Sequence, residues 1–177
     1  MTYEMRSVWE VEASLDEVLD AMADPRELPR WWPAVYLDVR ETAPGRDGDG
    51  VGKRVRLLTK GWLPYTLQWD LEVTANRHPH GISVRATGDF DGEGHWHLTQ
   101  RGRRVRLVYL WRVRARKPLL RRLSFLLRPV FALNHDWAMR RGRESLQLEL
   151  QRRRGVAAVP PPPPPTFLRF ARPRTLA

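Results

Sequence analysis

Apolar and polar residues alternate from the start of the chain. Tyr3, Met5, Ser7, Trp9 and Val11 fall on one side, and Glu4, Arg6, Val8, Glu10 and Glu12 on the other. A period of two predicts a half-buried strand. Ser14-Leu-Asp-Glu17 has the form of a capping box and predicts a short helix from Leu15 to about Ala23. Pro25 suits the first turn of a second short helix, and Pro29 and Pro33 limit its length. From Val35 to Ala115 the alternation resumes as about six strands. Their inner faces are read from Tyr65, Leu67, Trp69, Leu71 and Val73, then Ile82, Val84 and Ala86, then Gly94, Trp96 and Leu98, then Val105 to Val113 at every second residue. Pro118 opens a helical stretch reaching about Arg153. At 100° per residue, Leu119, Leu123, Leu126, Leu127, Val130, Leu133, Trp137 and Leu148 share one broad stripe, with a kink or break expected at Pro129.

This order predicts an α+β fold in which one antiparallel sheet, with a single apolar face, is covered by one long C-terminal helix. The face is rich in rings, with Trp9, Tyr65, Trp69, Trp96, Tyr109 and Trp111. A curved sheet around a helix leaves room for tight packing or for a cavity, and apolar cavities with few polar groups are typical small-molecule sites. Trp69, Trp96, Tyr109, Trp111 and Trp137 are therefore candidate ligand contacts, and equally candidates for plain core. Asn134 and Arg141 fall on the helix stripe, where a polar group needs a partner. They read either as polar anchors for a ligand or as groups satisfied by backbone and by an acid.

Catalytic material is sparse. His135, at the flank of the stripe, and Tyr109 are candidate proton carriers, but Asp136 points about 100° away from His135 and makes a poor dyad with it. His95 and His97 share a strand face at two-ligand spacing, and His78 and His80 flank Pro79, yet neither pair has a third ligand in view, so no metal is expected. The acidic turns Asp47–Gly50 and Asp89–Glu93 lack the spacing of a calcium loop, and Gly45–Gly52 lacks the Lys-Ser/Thr of a phosphate loop. No cofactor is expected either.

Five stretches carry a resemblance to a known family: WEVEASLDEVLDAMADPRELPRWWPAV (Trp9–Val35), GEGHWHL (Gly92–Leu98), RVRLVYLWRV (Arg104–Val113), KPLLRRL (Lys117–Leu123) and NHDWAMRRGRESL (Asn134–Leu146). Together with the element order they resemble the START-like, or SRPBCC, superfamily, nearest its polyketide cyclase/dehydrase-like branch, over Thr2 to Arg153. The resemblance implies a helix-grip fold with a hydrophobic cavity between sheet and C-terminal helix. It also implies a ligand among lipids, quinones or polyketide-like aromatics, and an enzyme in only some members. The expected function is binding of such a molecule. The alternatives are a cyclase or dehydratase using the same cavity, and a basic module acting at a membrane surface.

Charge and composition then adjust the picture. The net charge is +11, and the 31 basic residues are Arg except for Lys53, Lys60 and Lys117. They are spread over strands, helix and tail without a nucleic-acid motif, so nucleic acid is disfavoured as a partner. Trp31, Trp32 and Trp62, with Arg121, Arg122 and Arg128, are the material for a peripheral membrane contact or, equally, for helix-end packing beside a solvated Arg face. No apolar run spans a bilayer and the start is charged and alternating, which makes the cytoplasm the expected location. Cysteine is absent. Hexaproline, Pro160–Pro165, favours an extended polyproline helix, which divides the chain into a domain over 1–154 and a proline-rich tail over 155–177, expected to be disordered.

Overall fold

The computed structural model describes residues 2–115 and 128–166. Seven strands, β1 (Tyr3–Glu12), β2 (Tyr36–Ala43), β3 (Arg54–Lys60), β4 (Thr66–Asn76), β5 (Gly81–Gly88), β6 (Phe90–Arg101) and β7 (Arg104–Ala115), form one antiparallel sheet in the order β1-β7-β6-β5-β4-β3-β2. Strands β2 to β7 are a meander of neighbours. Only β1 crosses over, pairing Tyr3 with Val113 and Glu12 with Arg104. In β1 the expected faces hold: Tyr3, Ser7, Trp9 and Val11 are buried while Glu4, Arg6, Val8, Glu10 and Glu12 are exposed.

Between β1 and β2 lie α1 (Leu15–Met22), a 3-10 turn (Pro25–Glu27) and α2 (Leu28–Trp31). The capping box is formed: Ser14 Oγ accepts from the Glu17 amide, and Glu17 accepts from the Ser14 amide at 2.7 Å. Asp24 caps the 3-10 turn by accepting from the Arg26 amide. The long helix α3 is described from Arg128 to Arg153, so the expected interruption at Pro129 falls at its first described residues. The leucines Leu119, Leu123, Leu126 and Leu127, together with Arg121 and Arg122, lie outside the described residues.

The phase of α3 differs from the sequence expectation. His135, Ala138, Met139, Gly142, Ser145, Leu146, Glu149 and Leu150 form the inward face, with Leu146 and Leu150 fully buried. Leu133, placed on the stripe by the wheel, is 59% exposed. The inner face is nearly opposite the leucine stripe because it is built from small and polar residues that hydrophobicity does not mark. Gly142 is required there, since a Cβ at that position would run into the Trp32 ring. Glu149, although buried, accepts from Arg30 at 2.6 and 2.9 Å and from Arg153 at 2.7 Å, which ties α2 to the end of α3. Burial pushes its carboxyl up, but the bonds from the two guanidiniums win and leave it lowered.

After Gly155 the chain turns, with Gly155 and Ala158 at positive φ. Residues 156–166 lead from the end of α3 to the β3–β4 loop, where Thr166 Oγ bonds the carbonyls of Gly61 and Trp62 at 3.3 Å each.

Candidate functional site

A cavity of about 150 Å³ lies between the sheet and the first turns of α3. Its floor is aromatic. Tyr109 stacks on Trp111 at 5.6 Å between ring centroids, Trp111 lies tilted to Trp69 at 5.7 Å, and Trp96 backs Tyr109 from outside the lining at 4.4 Å. These rings sit at alternate positions of β4, β6 and β7, so the pleat turns each toward the helix. Trp69 is held in place by its indole N–H, which donates to Thr59 Oγ1 at 3.0 Å.

The roof comes from α3. Phe131, Asn134, His135 and Ala138 line the cavity at i, i+3, i+4 and i+7, one helix face, and Phe131 meets Tyr3 of β1 edge to face at 5.9 Å. The rim is the β3–β4 loop. Asn134 Oδ1 accepts from the Leu63 amide at 3.3 Å, and Gly61 has no room for a Cβ because the Asn134 amide occupies that place. Lys60, 3% exposed, and Gly61 also line the cavity.

Few polar groups break the apolar lining. His135 Nε2 lies 3.2 Å from Ser7 Oγ of β1. Burial holds the His135 imidazole down at about 4, against a small opposing pull from Asp136, so the ring is neutral at physiological pH. Tyr36 and Tyr65 are pushed up to about 12 by burial. Tyr109 is raised well above its ordinary value by burial first and by the nearby Tyr36 second. All three phenols therefore stay protonated and can donate. The site can present donors and acceptors to a ligand; among the described residues its lining holds one lysine, Lys60, whose Nζ donates to the Thr166 carbonyl, and no carboxylate.

Of the residues singled out from the sequence, Trp69, Tyr109, Trp111, Asn134 and His135 come together around this cavity. Trp96, Trp137 and Arg141 do not line it. Trp96 is sandwiched between Trp9 (5.1 Å) and Tyr109, and Trp137 packs partly buried against the core. Arg141 turns outward, bonding Glu144 at 2.8 Å with its guanidinium 5.9 Å from the Trp137 ring, because its long stem carries the charge to solvent. Trp31 and Trp32 are core residues, 1% and 4% exposed, so they form no lipid-facing rim; Trp32 adds one wall of the cavity. His95 and His97 lie on the outer face of β6, where His95 bonds Ser83 at 2.9 Å, and among the described residues no three His, Asp or Glu gather as metal ligands.

Sequence reasoning missed Tyr36, Thr59, Lys60 and Phe131. Phe131 was reachable, being one helical turn before Asn134 and His135. Tyr36 and Thr59 face each other in the β2–β3 register, which the sequence does not display.

Residues 3–151 match the family model described as polyketide cyclase / dehydrase and lipid transport. Among solved structures, the Zhui aromatase/cyclase from Streptomyces sp. R1128 is similar over 89% of this chain and 99% of its own, at 17% identity and a TM-score of 0.71. A conserved protein from Geobacillus kaustophilus is similar over 85% and 96%, at 15% identity and a TM-score of 0.63. Norcoclaurine synthase from Thalictrum flavum, solved with dopamine and hydroxybenzaldehyde, is similar over 78% and 86%, at 16% identity and a TM-score of 0.51. No functionally curated protein matches the chain. Seven antiparallel strands gripping a C-terminal helix, with short helices after β1, place the chain in the START-like superfamily, and it belongs to the polyketide cyclase/dehydrase and lipid transport family.

Proposed function

We propose that this chain binds an apolar, ring-bearing small molecule in the cavity between the sheet and α3. The observation that carries this reading is the lining itself: a floor of stacked indole and phenol rings with polar groups confined to a few points, Lys60 at the rim being the basic one. Aromatic faces recognise flat rings by offset stacking, while Tyr109, Asn134 and His135 supply donors and acceptors that fix orientation. A dry apolar cavity of this size holds a single aromatic ring. Larger members of the ligand classes suggested by the family need the rim to move.

A cyclase or dehydratase reading is favoured by one observation, the half-buried His135 beside Ser7, lining the same space as three protonated phenols. A neutral imidazole accepts a proton and a buried phenol donates one, which are the two halves of acid–base catalysis on a ring held in a cyclising shape. The two readings share the cavity and differ in turnover.

The test is native mass spectrometry of protein purified gently from its own host, followed by solvent extraction. A stoichiometric aromatic or lipid-like adduct, displaced when Trp111→Ala is introduced, is the expected result. Protein that carries nothing and takes up no probe in a panel of such compounds would sink the binding reading.

A further inference from the structure

We propose that residues 156–166 form a strap that holds the cavity rim in place and sets the rate at which ligand enters and leaves. The inference rests on the binding reading above. Three observations carry it. First, the segment is seated along one edge. Val159, Pro162 and Pro165 are half-buried, whereas Ala158, Pro161 and Pro164 are exposed. That spacing is the three-residue repeat of a polyproline helix laid on a surface.

Second, the segment is fastened at Pro160 and at Thr166, and among the described residues no hydrogen bond holds the prolines between them. Arg152 donates to the Pro160 carbonyl at the α3 end. At the far end Thr166 Oγ bonds Gly61 and Trp62, and its carbonyl accepts from Lys60 Nζ. Between these points the prolines have no N–H to give to any neighbouring strand or helix. The segment can therefore lift by releasing its end bonds, with no ladder to unzip. Gly155 and Ala158, at φ +73° and +58°, provide the turn on which it swings.

Third, what the strap fastens is the cavity rim. Lys60 and Gly61 line the cavity, and the neighbouring Leu63 amide is the one bonded by Asn134 on the roof. Thr166 thus closes a chain of contacts from roof to rim to strap. A rigid polyproline segment suits this task because little conformational freedom is lost when it is seated.

The experiment uses full-length protein, unaltered and as two variants, Thr166→Ala and the double variant Pro162→Gly with Pro165→Gly. The probe is N-phenyl-1-naphthylamine, a neutral fluorophore larger than a cavity of about 150 Å³ admits without movement of its rim, followed by stopped-flow. Loosening the strap is expected to raise association and dissociation rates together by about tenfold, the factor that about 1.4 kcal/mol makes, while affinity stays the same. Amide hydrogen exchange over residues 61–65 is measured in parallel without probe and is expected to quicken in both variants. Faster amide exchange with unchanged probe kinetics would overturn the gate and leave the binding reading standing. Failure of the probe to bind any of the three proteins, with amide exchange responding as expected, would overturn the binding reading and the gate with it. Unchanged amide exchange would show that the strap does not hold the rim.

Discussion

The two ends of the molecule's interior are built from the same residue types and come out differently. Toward the end of α3, Trp9, Trp31 and Trp32 pack against Val18, Leu98, Leu107, Leu146 and Leu150 in one buried cluster. Toward the beginning of α3, Trp69, Tyr109 and Trp111 face Phe131, Asn134 and Ala138 across empty space. The filled end is closed by a lid of its own, α1 and α2, which the Arg30–Glu149–Arg153 bonds pin to the helix. At the open end the described cover is the β3–β4 loop, to which Thr166 is bonded. Ring content therefore does not decide whether an interior is a site. What decides it is whether a further element arrives to fill the space. The filled end even tolerates indole N–H groups of Trp9, Trp31 and Trp32 that find no acceptor among the described residues. Such groups are costly to bury, and dense apolar packing around them offsets the cost.

The sharpest way to break this contrast is truncation of one side chain at each end. Leu146→Ala, at a fully buried position, is expected to destabilise by about 3–4 kcal/mol, through lost transfer energy plus a cavity that cannot collapse. Phe131→Ala removes a larger but half-buried side chain that already borders empty space, and is expected to cost about 1–2 kcal/mol. Denaturant midpoints of the two variants check this, and equal losses would mean the open end is packed as tightly as the filled one.

Acid should expose the same asymmetry. His135 is depressed to about 4 in the fold and sits near 6.5 when unfolded. The unfolded chain therefore binds the extra proton first, and stability falls as pH drops from about 6.5 toward 4, by up to about 3 kcal/mol. Glu17, held at about 2 chiefly by its bond to Arg154, acts in a lower window: its contribution is present above about 4.5 and is lost as pH falls toward 2. Unfolding curves from pH 7 to 4 are expected to flatten in His135→Gln and to keep their steep part below pH 4.5. A His135→Gln protein with the parent's slope between pH 6.5 and 5 would refute the assignment.

The smallest effect is expected at the rim. Asn134→Ala removes one neutral side chain to backbone bond, worth about 1 kcal/mol. Its signature is local: quicker hydrogen exchange at Leu63 with little change in the midpoint of global unfolding.

Most of the fold was legible because its signals are local. Alternation in β1, β4, β6 and β7 gave the strand faces, and Ser14 with Glu17 gave the start of α1. The site was legible only in part, because periodicity assigns a residue to a face and says nothing of its position along that face. Trp96 and Trp111 share the inner face of the sheet, yet one is sandwiched among rings and the other borders the cavity. On α3 the wheel itself misled. The leucines of 119–127 set its phase, whereas the face that meets the sheet carries His135, Gly142, Ser145 and Glu149. Those residues are inward because Trp32 needs the space at Gly142, Ser7 faces His135 and Arg30 reaches Glu149. Each of these reasons lies in a partner more than a hundred positions away in the chain. His135, expected at the flank, lies on the inner face for the same reason that Arg141 lies outside it.

The pairing of β1 with β7 has a consequence for the order in which the molecule can come into being. On the ribosome the meander from β2 onward can assemble hairpin by hairpin as it emerges, but Tyr3 waits for Val113, and the roof waits for residues 131–139. Throughout that interval the row of rings on the inner face has no cover. A nascent chain with so large an apolar sheet face is a natural client for whatever shields such surfaces in the cell, and the cavity is among the last features it acquires.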